Sequence, residues 1–256
     1  MNGIRREQQG GLTILRLDKA RGNAIDEALV EALTRTCAEL AKDDAVRGVL
    51  LASANPKLFC PGLDLVSLIE FDRPRLERFM AAFRRMVVAL YGLPRPMVAA
   101  LGGHAVAGGC ILALTADWRV MRRGGATIGL NEVKLGVPLP WAISALLRAT
   151  VPPNSLSRVA LLARNLGDEE ALAAGIVDEL AAPEEFEAVA LARLAEFAEK
   201  DGASLGATKS YLRAGPLREM QAESQQTMDE WLDGWFSPPT QERLRGIVGS
   251  LTRKNG

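Results

Sequence analysis

The chain of 256 residues has one histidine, three cysteines and no net charge, because 31 lysines and arginines balance 31 aspartates and glutamates. Each scarcity excludes something. With His104 alone the H-E-x-x-H pattern cannot be built, and no metal site is expected. Cys37, Cys60 and Cys110 are odd in number and unequally spaced, which argues against a disulfide framework and fits a reducing compartment such as the cytoplasm. The balanced charge gives the bulk of the chain no attraction for nucleic acid or an anionic membrane surface. No apolar stretch approaches the roughly 20 residues of a bilayer span, and MNGIRREQQGG at the amino terminus leads into no apolar run, so the chain reads as soluble and unexported.

What is present is alternation. Gly11 to Asp18 reads as a strand, and Asp26 caps a helix through about Ala41 with Leu29, Leu33, Cys37 and Leu40 on one face. Val46 to Ser53 is a continuous apolar run, the pattern of a strand covered on both faces, and ANPKLFCPG after it reads as a loop. Arg75 to Tyr91 follows as a helix, Pro96 to Leu101 as a buried strand and Asp117 to Met121 as another. The segments from Pro138 to Leu180 read as helices separated by proline and glycine. The pattern implies an α/β layered domain over residues 1–182. From about Pro183 it becomes helical only, with segments at Glu184 to Lys200, Leu205 to Ala214, Glu219 to Phe236 and, after a break at SPPT, Gln241 to Arg253. Residues 183–256 are therefore expected as a helical appendage.

Several motifs carry little. Gly103, Ala105 and Gly108 make a relaxed dinucleotide fingerprint, but Arg122 and Arg123 stand where its acidic residue is required. GASLG at 202–206 matches a nucleophile elbow formally, yet it follows a charged helix instead of a strand. His104 reads as a packing residue, Arg84 with Arg85 and Arg122 with Arg123 as solvated pairs, and Trp231, Trp235 and Phe236 as one packing face of a helix.

Two loops share a design. FCPGLDL (59–65) and GGHAVAGGC (102–110) each follow an apolar strand and expose backbone where glycine lets the chain turn and a ligand come close. If a helix begins at Gly108, its free N–H groups point above the strands. Two such donors meeting on one oxygen form an oxyanion hole, each typically worth about 3–4 kcal/mol of transition-state stabilisation. The alternative is that Gly-Gly only permits a helix to pack closely on a sheet.

PKLFCPGLDL, GGHAVAGGCILALTADWRV and IGLNEVKLGVPLPW, in this order and spacing, resemble the crotonase or enoyl-CoA hydratase/isomerase superfamily. The resemblance implies a spiral of ββα units with a helical carboxy-terminal region that covers the active site and supports oligomerisation, as a homotrimer or a dimer of trimers. It implies an acyl-CoA substrate, with coenzyme A as part of the substrate and no other cofactor. Carried over by position, the oxyanion donors are the N–H groups of Leu63, which follows Gly62, and of Gly108. Pro61, Asp64 and Leu65 complete the first loop, and Ala107 precedes Gly108 where the family has another small residue. Gly102 stands where the family usually has asparagine. Ala24 matches the stretch that lies along the adenine and pantetheine in relatives.

Hydratases of this family use two glutamates. Here the first position is Ile111 and the second is Glu132, after Asn131. Adding water is easiest with two acid–base groups, whereas moving a double bond from C3 to C2 needs one base that takes a proton from C2 and returns it at C4. An apolar Ile111 also dries the cavity and raises the proton affinity of Glu132. The pattern is similar to the Δ3,Δ2-enoyl-CoA isomerase branch, with Leu135, Val137, Leu139 and Trp141 as candidate walls of the acyl pocket. Hydration, thioester hydrolysis and decarboxylation are rival reactions on this scaffold, and a non-catalytic acyl-CoA binder is the rival outside enzymes.

Overall fold

The computed structural model describes residues 3–254. Strands β1 (Ile4–Gln9) and β2 (Leu12–Leu17) pair antiparallel around Gly10 and Gly11, both at positive φ. β1 has almost only exposed side chains, so it lacks the apolar alternation by which a strand is read from sequence, and it was not expected. Helix α1 (Ala20–Asn23) leads to α2 (Glu27–Lys42), whose Asp26 cap accepts from the Leu29 N–H at 2.9 Å. The face Leu29, Leu33, Cys37 and Leu40 is buried as its spacing implies.

Three turns of one pattern follow. The first is β3 (Gly48–Ser53), β4 (Leu58–Cys60), then α3 (Leu65–Leu68) and α4 (Arg73–Tyr91). The second is β5 (Met97–Leu101), β6 (His104–Val106) and α5 (Gly108–Leu114), and the third β7 (Trp118–Arg122), β8 (Ile128–Gly129), α6 (Glu132–Leu135) and α7 (Trp141–Thr150). In each turn one strand joins a large sheet and the next joins a small one. The large sheet has the order β1-β2-β3-β5-β7 and is closed by β9 (Glu179–Ala181), after α8 (Asp168–Ala173); the small one is β4-β6-β8, parallel throughout. This is a spiral of ββα units. β4 and β6 occupy stretches that read as loops, because three residues are too few to show a period.

The continuous apolar runs have the expected cause. Val49 and Leu51 of β3 face the main core, while Leu50 and Ala52 face a second cluster formed with Ala190 and Leu194 of α9 (Phe186–Ala198). Three more helices complete the chain: α10 (Gly202–Gln221), α11 (Gln225–Phe236) and α12 (Pro238–Lys254). The expected break between Ala214 and Glu219 is absent, whereas the one at SPPT is present, with α11 ending at Phe236 and α12 starting at Pro238. Pro216 lies inside α10, where buried Arg213 and Met220 on either side hold the helix against the propensity of proline. Pro238 opens α12, a position where a missing N–H costs nothing. GASLG is the first turn of α10, capped by Asp201, whose side chain accepts from the Ser204 N–H at 2.8 Å. No helix among the described residues is long and apolar enough to cross a membrane.

α10 is fastened by charge. Asp117, at the entry to β7, accepts from Lys209 Nζ at 2.6 Å, from Arg213 at 2.7 Å and from the Met97 N–H at 2.7 Å. Arg213 also donates to the carbonyls of Tyr91 and Thr115, and Lys209 to that of Arg95. Burial pulls the Lys209 ammonium down to about 8 against the attraction of Asp117.

Asp117→Asn would leave two buried cations uncompensated, with an expected loss of about 3–5 kcal/mol. Asp44→Asn at the fully exposed partner of Arg95 is expected to change stability by less than about 0.5 kcal/mol. Urea unfolding of both variants checks the contrast.

Candidate active site

The loop after β4 is set by a single bridge. The Ile25 N–H donates to the Gly62 carbonyl at 2.8 Å and the Asp64 N–H to the Ile25 carbonyl at 2.9 Å. A parallel bridge of this kind turns the N–H of the bracketed residue, Leu63, to the opposite side. Among the described residues no carbonyl accepts it. Asn23, buried at positive φ, braces the loop by donating to Ser53 Oγ at 2.8 Å and to the Phe59 carbonyl at 3.0 Å. Asn23 was missed in the sequence reading, where GNAID drew attention only through Ala24.

The second loop lies directly on the first. A methyl group on Gly62 would stand 3.2 Å from the Gly108 nitrogen, and one on Gly108 would stand 3.2 Å from Gly62 Cα. Gly62 has φ 104°, open to glycine at little cost. Ala107 has φ 50° and ψ −119°, a conformation that L-residues rarely hold, and it turns the chain so that Gly108 opens α5. Its own N–H donates to the Gly129 carbonyl at 2.8 Å. Among the described residues the Gly108 N–H, like that of Leu63, meets no carbonyl. Close packing accounts for glycine at other positions. A methyl on Gly109 would fall 2.0 Å from the Cys60 carbonyl oxygen, and one on Gly103 would fall 2.3 Å from the Lys57 carbonyl carbon.

Glu132 starts α6, just past β8, and so comes from the third turn of the spiral. Its Oε2 is buried without a hydrogen-bond partner among the described residues, as is Oδ1 of Asn131. Burial pushes the carboxyl up to about 7, opposed in part by the N–H groups of Glu132 and Asn131. A carboxyl at that value is a proton acceptor and donor matched to neutral pH.

These parts surround one cavity of about 850 Å³. Pro61, Leu63, Asp64, Leu65, Ala107 and Gly108 line it from the two loops, and Ala24 from the segment between α1 and α2. Ile111, Asn131, Glu132, Leu135 and Val137 line it from α5 and the segment around α6. Gly62 lies beneath, against Gly108. The Asp64 carboxylate, buried, accepts from Ser67 Oγ at 2.8 Å.

Two expected walls are absent from the lining. Trp141 is 40% exposed at the start of α7, with Arg148 6.0 Å over its ring; Pro140 takes the place beside the cavity, because the turn into the helix directs Trp141 outward. Leu139 packs at the edge of the core instead. His104 is half-buried on β6 with its Nδ1 2.9 Å from Thr127 Oγ1, a packing role. Arg84 is no solvated residue, since it donates to the buried Glu223 carboxylate at 2.9 Å.

Other lining residues were not anticipated. Met80 and Phe83 come from α4, Trp231 and Trp235 from α11, and Ile247, Leu251 and Thr252 from α12. The tryptophans stack at 5.4 Å, and their i, i+4 spacing was the visible signal, read as packing alone. Among the described residues no three of histidine, cysteine, aspartate and glutamate come together as a metal-ligand group. Burial raises all three thiols, Cys60 to about 12.

Comparison with known proteins follows the same lines. Residues 7–238 match the family described as enoyl-CoA hydratase/isomerase. The mitochondrial enoyl-CoA delta isomerase 1 of Rattus norvegicus is 24% identical over 254 residues, covering 99% of this chain and 88% of that protein. The peroxisomal enoyl-CoA delta isomerase 2 of Arabidopsis thaliana is 39% identical over 166 residues, 62% of this chain and 69% of that protein. The crystal structure of human mitochondrial delta3-delta2-enoyl-CoA isomerase superposes with a TM-score of 0.94 at 24% identity, covering 99% of this chain and 100% of that one. The crotonase fold with carboxy-terminal helices is therefore the fold of this chain.

Ala107→Gly is expected to stabilise the protein by roughly 1 kcal/mol, the strain relieved less the extra entropy of glycine. Gly109→Ala, which sets a methyl group on the Cys60 carbonyl, is expected to cost about 3 kcal/mol or more by forcing the two loops apart. Thermal unfolding of the pair measures both signs.

Proposed function

Because this chain belongs to the enoyl-CoA hydratase/isomerase family, we propose that it converts a 3-enoyl-CoA into the conjugated 2-enoyl-CoA. The thioester oxygen accepts from the Leu63 and Gly108 N–H groups. Glu132 takes a proton from C2, the C2–H electron pair spreads over the dienolate, and the negative charge gathers on the oxygen that the two donors hold. The carboxylic acid so formed then delivers its proton to C4. One C–H bond breaks, one forms, and nothing is oxidised or reduced, so coenzyme A as part of the substrate is the only cofactor the chemistry calls for.

The observation that carries this reading is the contrast between the two carboxylates on the cavity. Asp64 is held by Ser67 in its loop, whereas Glu132 has a buried oxygen with no partner among the described residues and a proton affinity suited to carbon acids. Ile111, buried, lines the same cavity, where a second acid–base group would favour hydration. One carboxylate available for proton transfer beside an apolar Ile111 suits a 1,3-proton shift. α11 and α12, which line the cavity, serve in this reading as its cover. Exposed Tyr211 and Leu212 on α10, and separately Leu161 and Leu162, are apolar side chains available for assembly as a homotrimer or dimer of trimers. The three free, buried thiols support a reducing, cytoplasmic setting.

Adding the protein to a 3-enoyl-CoA is expected to raise the ultraviolet absorbance of the conjugated thioester, with product analysis finding no 3-hydroxyacyl-CoA. Glu132→Gln should lose about a hundredfold or more of kcat while still binding acyl-CoA; turnover equal to wild type would refute Glu132 as the base.

The pH dependence has a defined sign. The base works ionised, so kcat/KM rises with pH and levels off above about 7. The same carboxyl is raised from 4.5 in the fold, so its contribution to stability is present below that value and lost as pH rises to about 7. Glu132→Gln is accordingly expected to exceed wild type in stability by on the order of 1–3 kcal/mol above pH 7, with the gap closing in acid. Light scattering checks the assembly, with three or six chain masses expected.

A further inference from the structure

The cavity has an open end and a closed end. Leu251 and Thr252 on α12 are exposed, whereas Met80, Phe83, Trp231 and Trp235 are each no more than 8% exposed and belong to the core. A coenzyme A headgroup is large and charged, so it can lie only at the exposed end. An acyl chain whose thioester sits between Leu63 and Gly108 then points toward α4 and α11.

That closed end is thin. Met80, Phe83, Pro140 and Trp231 line the cavity on one side and, on the other, a separate void of about 10 Å³. The void is roughly large enough for one water molecule. It is bounded by Ala142, Ile143, Met228 and the Arg84–Glu223 ion pair. Core side chains usually have packed protein behind them, and this wall has free space on both faces. Trp231 is its largest member, kept flat by stacking on Trp235 with 25° between the rings. Both indole N–H groups are buried with no acceptor among the described residues, so packing alone holds the wall, and removing the indole orphans no partner.

We propose that Trp231 is the residue that sets the length of acyl chain accepted: it is the surface at which the methyl end of the chain stops. This rests on the acyl-CoA reading above. A chain one or two carbons too long meets the indole, which separates it from the small void bounded by Ala142, Ile143 and Met228. Shortening Trp231 joins the void to the cavity and adds the volume of the lost indole. One methylene in such a pocket discriminates by about tenfold or more.

The test is calorimetric titration of straight-chain saturated acyl-CoA thioesters of increasing length into wild type, Trp231→Leu and Met80→Ala, each shown to be folded by its thermal transition. Wild type should bind more tightly with each added carbon up to a cut-off and then fall. In Trp231→Leu the cut-off should move at least two carbons longer, with the first chain beyond the wild-type limit gaining roughly tenfold or more. Met80→Ala thins the same wall with less loss of core and should shift it in the same direction. An unchanged cut-off in either folded variant, or an equal loss at all lengths, would overturn the role of the wall. Wild type that binds no acyl-CoA of any length would instead defeat the acyl-CoA reading, and the proposal with it.

Discussion

Everything at this site depends on how closely two stretches of bare backbone approach. The segment from Lys57 to Gly62 and the segment from Gly103 to Gly109 lie so near that added methyl groups at Gly103 and Gly109 would overlap main-chain atoms, at 2.3 Å and 2.0 Å. Side chains cannot be interposed there. The contact places the Gly62–Leu63 peptide beside the nitrogen of Gly108, and with it two N–H groups that meet no carbonyl among the described residues. An unmade backbone hydrogen bond in a buried place costs on the order of 1–3 kcal/mol, and two of them are tolerable where a bound oxygen can satisfy both.

The spiral supplies the third part. Each turn sends one strand into the large sheet and one into the small sheet, so β4, β6 and β8 lie side by side although some forty residues of chain separate the first from the second. The segments that leave these three strands open on the same space: Leu63 after β4, Gly108 after β6, Glu132 after β8. Unmet N–H donors and a buried carboxyl on one cavity would be a costly combination in an apolar core. The cavity makes it affordable, because the carboxyl responds to desolvation by holding its proton more tightly.

The carboxy-terminal helices are tied to this arrangement by two different forces. α10 is anchored by the buried cluster of Asp117, Lys209 and Arg213, which joins it to the ends of α4, α5 and β7. α11 is anchored by apolar burial, with Met228, Trp231, Leu232 and Trp235 all in the main core. Geometry makes this second anchor part of the cavity as well. The same indoles that close the core also form its inner wall, so packing and specificity share residues.

Much of this was legible in the chain. The apolar run of β3 betrayed a strand covered on both faces, β5 and β7 were legible as strands, the Asp26 cap and the apolar spacing after it gave α2, and the glycine loops with Glu132 between Asn131 and Val133 gave the candidate parts of the site. These are local signals, set by side-chain period and backbone freedom within a few residues. Strands β1, β4 and β6 escaped because an exposed edge or a three-residue strand has no period to read. The facing of side chains escaped too: Trp141, one residue past Pro140, turned outward, while Trp231 and Trp235, from a helix about ninety residues further along the chain, turned in. Sequence determined which groups could do chemistry. Tertiary structure alone decided which of them share a wall, since that depends on contacts between segments far apart in the chain, which no local propensity encodes.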